Sequence, residues 1–435
     1  MQLIVCKTGK LMSLLALLFL SFTAFAQTTT VAFEVNGLKV ILKQTQKETL
    51  VMSMYYKGGL TNYPAADAGI ESLALSGIID GGNHTFSAND FNDQRDEYGI
   101  HLTGEAANDY GVVKLRCITR YAEEGWKLFA SAITAPIFDA KKFDILKQQK
   151  TDELNAGLSN ADARLSQLAT ATAFAGTPYA NNPAGTVENI ARLTRDAVED
   201  YYYNILLNRK RMFLVVAGNI SKEDLEQKVK NAFSDIPEKA YTPVPVKEEP
   251  FTRDVYKIEG RSLATNYVCG IVNAPGLNSP DYPAYRLAVT ILHSTLFREI
   301  RLSKRLSYAP AAYLSGGKIS YLTMYASTTQ PQETVKAMYN VLSHVRASIY
   351  TDKTVADLQN SVSLSYLKQQ ESMSNIVDAL GEAEIMGDWR LAENFDVRVS
   401  AVTAKEIQSV FKAYTNNITW AYIGNPGLGE QAFTQ

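Results

Sequence analysis

Leu193-Thr194-Arg195-Asp196-Ala197 opens a helix that runs into Tyr201-Tyr202-Tyr203, and the strand Met212 to Ala217 and the pair Gly218-Asn219 follow it. The same order of signals returns about 210 residues later. Val402-Thr403-Ala404-Lys405-Glu406 opens a helix through Val410 and Phe411, then comes Ile418 to Ile423, then Gly424-Asn425. In both copies the threonine can cap its helix, the side-chain oxygen accepting from first-turn amides, with an acidic residue near the positive helix end. Thr194 to Thr403 is an offset of 209, and Gly218 to Gly424 one of 206. A cap, a helix and a strand recurring at one spacing mean that the chain is written twice.

The repeat extends outward from these stretches. Phe143, Leu146, Leu154, Leu158, Leu165 and Leu168 fall mostly three, four or seven residues apart, which puts them on one face of a long helix. A second such helix runs from about Val355 through Leu358, Val362 and Leu367. Strand signals precede each helix. Asn36-Gly37 joins Ala32 to Val35 with Leu38 to Leu42 as a hairpin, and Gly111 to Ile118 alternates, with Val113, Leu115 and Cys117 on one side. Thr265 to Val272 and Tyr321 to Ser327 play these parts in the second copy. Strands and helices mixed in this way predict an α+β fold. The Pro-rich stretch 236–254 reads as a semi-extended linker. The expected organisation is a first domain over 27–235, a second over 255–425, and a short tail over 426–435.

Length and composition agree. A chain of 435 residues is longer than one core usually covers. Its 46% hydrophobic and 20% charged residues are ordinary globular usage. Lys and Arg number 43 against 45 Asp and Glu, so there is no basic excess to neutralise a polyphosphate, and nucleic acid is not an expected partner. Lys7 and Lys10 precede an apolar run, Leu11 to Phe25, that ends in Ala24-Phe25-Ala26. This is the pattern of a secretory signal peptide over 1–26. No later stretch is long and apolar enough for a membrane span. The expected location is therefore outside the cytoplasm, a bacterial periplasm. Cys117 and Cys269 sit in apolar strand contexts and read as buried small hydrophobes. There is no G-x-S-x-G elbow, and Ser365-x-x-Lys368 has its Lys-Thr-Gly companion only inside the leader.

Three separated stretches carry a family resemblance: Tyr55 to Gly82, Pro178 to Asn219 with Gly185-Thr186-Val187-Glu188-Asn189-Ile190, and Ser294 to Tyr308. In this order they resemble the M16 (pitrilysin/insulinase, processing-peptidase) metallopeptidases. The resemblance implies two homologous α+β halves forming one side of a clamshell around a peptide chamber. Members that cut peptides carry H-x-x-E-H on the first long helix, where two histidines one turn apart face a zinc ion and the Glu acts as general base. In Gly69-Ile70-Glu71-Ser72-Leu73-Ala74-Leu75-Ser76, Ser72 and Ser76 stand at the ligand positions and Leu75 at that of the base. Hydroxyls are poor zinc ligands at neutral pH and leucine takes no proton. The family's third ligand is a Glu on the next long helix, and Glu153, 77 residues after Ser76, holds that place as a remnant. His84, His101, His293 and His344 have no helical metal-ligand spacing. No metal is expected in this chain.

Ser294-Thr295-Leu296-Phe297-Arg298-Glu299-Ile300-Arg301 running to Leu306-Ser307-Tyr308 resembles the family's R/Y element. The resemblance maps its Arg and Tyr, seven residues apart, to Arg301 and Tyr308. The Arg would hold a substrate carbonyl and the Tyr hydroxyl would donate to the oxyanion. A Gly usual just before the Leu-x-Tyr step is Arg305 here. The expectation is a non-catalytic subunit that offers Arg301, Tyr308 and half a chamber to a zinc-bearing partner acting on unstructured peptides. Two other readings stay open: a structural or peptide-holding protein without a peptidase role, and a self-sufficient enzyme with an unrecognised site.

Overall fold

The structure, a computed structural model, describes residues 30–247 and 249–434. The expected leader over 1–26 lies outside the described residues. Asn36 and Gly37 take φ of 48° and 83°, the positive values that a two-residue hairpin turn requires. They join β1 (Thr30–Val35) to β2 (Leu38–Gln44) antiparallel. With β3 (Thr49–Lys57), β4 (His101–Ala106), β5 (Tyr110–Ile118) and β6 (Met212–Gly218), these form a sheet in the order β1-β2-β6-β3-β5-β4. A second sheet holds β7 (Val255–Gly260), β8 (Asn266–Asn273), β9 (Ala311–Ser315), β10 (Tyr321–Thr328) and β11 (Thr419–Gly424), in the order β7-β11-β8-β10-β9.

Strand for strand, the second sheet is the first without β1. β2 runs parallel to β6 as β7 does to β11, and every other neighbour in that shared set is antiparallel. The last residues of the parallel pairs also correspond. Gln44 faces Gly218 and Gly260 faces Gly424, with φ of 147° and 151° at the two strand-end glycines.

The first half carries helices α1 (Ile70–Asp80), α2 (Ala88–Glu97), α3 (Ala122–Thr134), α4 (Ala140–Ser159), α5 (Ala161–Ala173), α6 (Val187–Arg192), α7 (Arg195–Tyr201) and α8 (Lys222–Phe233). The second carries α9 (Tyr282–Leu296), α10 (Pro331–Ala347), α11 (Asp352–Gln369), α12 (Met373–Ile385), α13 (Arg390–Glu393), α14 (Phe395–Ser400), α15 (Ala404–Tyr414) and α16 (Pro426–Phe433). Both expected threonine caps are present. Thr194 accepts from the Ala197 amide, and Thr403 forms a reciprocal capping box with Glu406.

Three expectations need correction. The run Phe143 to Leu168 is two helices. Asn160, with ψ of 120°, ends α4, and its side chain caps α5 by accepting from the Ala163 amide at 3.0 Å. Phe143 and Leu146 lie in the core of the first sheet, whereas Leu165 and Leu168 pack under the second sheet with Cys269, Ile271, Ala421 and Ile423. In α11, Val355 and Val362 are buried, but Leu367 is 58% exposed. The segment expected as a tail is α16, which follows β11 as α8 follows β6 and stacks Phe433 on Tyr256.

The crossing of α5 has a counterpart. α12, from the second half, packs Met373, Ile376, Val377, Leu380 and Ala383 against Ile41, Val51, Tyr55, Phe213 and Val215 on the outer face of the first sheet. Each half therefore closes the other's core, and each buried aliphatic or aromatic side chain there is worth roughly 1.5–3 kcal/mol. Polar ties follow the same route: Lys39 to Glu384 at 2.6 Å, Lys114 to Asp378 at 2.9 Å and Arg164 to Glu259 at 2.7 Å. The strap 236–254 forms no helix or strand among its described residues. The Lys239 amide donates to Asn208 at 3.0 Å and the Phe251 amide to Asn273 at 2.8 Å, so each end is held by its own half.

Candidate functional site: the degenerate zinc helix and the exposed Arg-Tyr element

α1 begins at Gly69, whose φ of 100° turns the chain into the helix, and lies against β4 and β5. The approach is close because two strand positions are glycine. A Cβ on Gly104 would sit 2.0 Å from the Leu75 carbonyl oxygen, and one on Gly111 would sit 2.5 Å from Leu75 Cδ1. Leu75 is fully enclosed in the core, and Ser72 and Ser76 are buried. The Ser76 hydroxyl donates to the Gly104 carbonyl at 3.3 Å. Glu153 stands on the solvent side of α4, 66% exposed, and pairs with Lys150 at 3.2 Å. Two buried hydroxyls, a core leucine and an outward carboxylate do not fit zinc, which takes nitrogen, thiolate or carboxylate donors converging on one point.

One residue that the sequence reading passed over dominates the electrostatics of this helix. Glu71, directly before Ser72, is completely buried. Its Oε2 accepts from the Tyr201 hydroxyl at 2.5 Å and from the Asn62 amide at 3.0 Å. Its Oε1 has no partner and lies where a Gly111 Cβ would come within 2.6 Å. Arg211 donates to the Asn62 side-chain oxygen and stacks on Tyr241 with its guanidinium 4.1 Å from the ring centre. Burial pushes the Glu71 carboxyl up to about 7, against the opposing pull of the Tyr201 and Asn62 hydrogen bonds and the Arg211 charge. The signal was an acidic residue inside an otherwise apolar helical turn.

In the second half, α9 continues into a wider turn over Phe297–Ser303, closed by the Leu306 amide donating to the Ile300 carbonyl at 2.8 Å. Arg305 follows with φ of 55°, the left-handed value that a glycine adopts freely. The loop geometry that glycine would give is thus kept by a residue that is strained there. Tyr308 is 78% exposed, so it is not a core tyrosine. The Arg301 guanidinium lies over its ring at 4.1 Å and over Phe297 at 4.9 Å. The structure brings Arg301 and Tyr308 together as one outward-facing element. No hydrogen bond or ion pair among the described residues links it to Ser72, Ser76 or Glu153.

A cleft of about 670 Å³ opens where the halves meet. Its wall includes Ala68 ahead of α1, Leu154 on α4, Gln167 and Thr170 on α5, Asn182 and Tyr321. Above it, the Tyr179 hydroxyl donates to Asp109 and accepts from the Ile319 amide at 3.2 Å, and Asp109 also accepts from the Lys318 amide at 2.9 Å. These bonds tie the β4–β5 turn to the β9–β10 turn.

Residues 192–362 match the family model described as the peptidase M16 inactive domain. Among curated proteins, the chain is 21% identical to the non-peptidase homolog YmxG of Helicobacter pylori, over 95% of this chain and 98% of that one. It is 24% identical to subunit 1 of the mouse mitochondrial cytochrome b-c1 complex, over 59% of this chain and 54% of that protein, so it spans about half the length of that relative. A protease from Helicobacter pylori shares the fold with a TM-score of 0.84 at 15% identity, over 91% of this chain and 99% of the other. A peptidase M16 inactive domain from Pseudomonas fluorescens does so with a TM-score of 0.80 at 17% identity, over 91% and 98%. The periplasmic protease PqqL of Escherichia coli is similar over 91% of this chain but only 46% of its own, with a TM-score of 0.76 at 15% identity. With its doubled sheet and its α1 stripped of metal-binding groups, the chain has the fold of inactive M16 peptidase-family proteins, and its residues 192–362 match that family's inactive domain.

Proposed function

We propose that this protein is the non-catalytic, substrate-binding subunit of an exported two-chain M16 peptidase, with zinc and its base supplied by a partner chain. The observation that carries this reading is the Arg301–Tyr308 element, held stacked and facing outward while the chain's own α1 has lost all three groups of the zinc motif. An exposed tyrosine hydroxyl beside a guanidinium can donate to an oxyanion forming on a peptide held by the partner. The Arg301 guanidinium can hold a neighbouring substrate carbonyl. The cleft at the junction of the halves supports a share in a peptide chamber. PqqL supports the pairing, because this fold accounts for under half of its chain and leaves room for a second unit of similar size. That PqqL is a periplasmic protease also supports a periplasmic location.

The test is reconstitution. The isolated chain is expected not to hydrolyse unstructured peptides, and addition of the zinc-bearing partner is expected to give chelator-sensitive cleavage. In that pair, Tyr308→Phe should lower kcat by about 10²–10³, the usual effect of deleting one oxyanion donor, while Arg301→Ala should mainly raise KM. Chelator-sensitive turnover by the isolated chain would sink the assignment. If Tyr308→Phe leaves kcat unchanged in a normally assembled pair, the chain is better read as a structural or peptide-holding member without a peptidase role, a reading that the non-peptidase homolog YmxG supports.

A further inference from the structure

Four cations, Arg298, Arg301, Lys304 and Arg305, fall within eight residues of the turn that presents Tyr308, and Glu299 is the single acid among them. Arg298, Lys304 and Arg305 are exposed, and Arg301 is half-buried between two rings. Some cations elsewhere in the molecule are engaged, although Arg116, Arg120, Arg253 and Lys257 stand singly without a carboxylate partner among the described residues. Arg164 and Arg261 share Glu259 at 2.7 Å each, and Lys228 holds Glu123 at 2.6 Å. Among the described residues none of the four pairs with a carboxylate, and none donates a side-chain hydrogen bond. Exposed Leu302 and Tyr308 add apolar surface to the same patch.

A cation at a helix C-terminus is favoured by the helix field, and one or two there need no further reason. Arg305 is different. It occupies a left-handed position, φ 55°, where a glycine would relieve the strain, and its guanidinium has no hydrogen-bond or ion-pair partner among the described residues. A charge kept at a strained, exposed position, beside three others without counter-ions, is a surface organised for an anionic ligand.

We propose that this element selects acidic peptides. Aspartate or glutamate side chains flanking the bound segment would be held by Arg298, Lys304 and Arg305 through charge-assisted hydrogen bonds, with apolar neighbours on Leu302 and Tyr308. The inference rests on the reading that Arg301 and Tyr308 face substrate, and it adds the substrate's charge.

The experiment is fluorescence anisotropy on the intact protein with labelled peptides of equal length and matched apolar residues, bearing Glu and Asp, Gln and Asn, or Lys at the same positions. Each exposed ion pair strengthens binding by roughly 1.5- to 5-fold, so the acidic peptide should bind about tenfold more tightly than the neutral one at low salt. That margin should shrink at high salt as the charges are screened. The double variant Arg298→Gln/Lys304→Gln should lose most of the preference while binding the neutral peptide as before. Equal affinity for acidic and neutral peptides, a preference untouched by the double variant, or no peptide binding at all would each overturn the proposal. So would tighter binding to phosphatidylserine vesicles than to the acidic peptide. Partner-dependent cleavage with no acidic preference would overturn this inference and leave the subunit reading standing. An acidic preference with cleavage indifferent to Tyr308 would do the reverse.

Discussion

Glu71 makes stability depend on pH in a direction opposite to that of most carboxylates. Its folded-state pKa lies near 7 against an ordinary value of 4.5, because the carboxyl is buried with one oxygen unpartnered. The folded state therefore holds the proton more tightly than the unfolded chain. The stability linked to this group is fully present below about 4.5 and is lost as pH rises through about 7. The gap corresponds to roughly 3 kcal/mol, of which about 2 kcal/mol falls between pH values of about 5.5 and 8.5. The carboxyl is hydrogen-bonded by Tyr201 and Asn62, with Arg211 reached through Asn62, and Tyr56, Tyr63 and Tyr241 lie within its electrostatic reach. Glu71→Gln keeps the shape and an acceptor for Tyr201 but cannot ionise. Denaturant unfolding of both proteins across this range should show the variant gaining on the parent by about 2 kcal/mol from acid to alkaline pH. The difference between the two proteins removes the contribution of every other titrating group. Parallel curves would refute the reasoning, and Glu71 would then be ionised and solvated in a way that its burial denies.

Arg305→Gly should stabilise the protein by about 1 kcal/mol by releasing left-handed strain, read as a higher denaturation midpoint; a destabilised variant would show that the arginine makes contacts worth more than its strain. The purified protein dialysed against trace zinc should retain far less than one equivalent, since Ser72, Leu75 and Ser76 offer no ligand; stoichiometric zinc by elemental analysis, lost on Glu153→Gln, would contradict this. Gly381→Ala places a methyl 2.1 Å from the Tyr55 ring and should cost about 1–3 kcal/mol or more, although the two residues lie in different halves. Residues 27–235 expressed alone should fail to give a cooperatively melting monomer, because the face formed by Ile41, Val51, Tyr55, Phe213 and Val215 would be uncovered; a soluble fragment with a sharp melt would show that α12 is dispensable.

What the sequence determined by itself was local or repeated. Asn36-Gly37 makes a hairpin because the turn chemistry lies in two adjacent residues, and Thr194 and Thr403 cap helices because a hydroxyl reaches an amide three positions on. The duplicated fold was legible because the cap, helix and strand recur together, and the loss of the zinc groups was legible because that chemistry belongs to residue types. Tertiary structure decided which surface each apolar stripe covers. Phe143 to Leu168 has one helical period throughout, yet Asn160 breaks it and sends Leu165 and Leu168 under the other sheet. Periodicity states that a face is apolar and says nothing of which core accepts it. The burial of Glu71 was hidden for the same reason, since its environment is assembled from Asn62, Tyr201 and Gly111, which are far apart in the chain. Arg305 in a left-handed turn and Tyr308 stacked on Arg301 in solvent are set by how α9 unwinds at its end, a geometry fixed by packing and backbone closure that no spacing of residue types encodes.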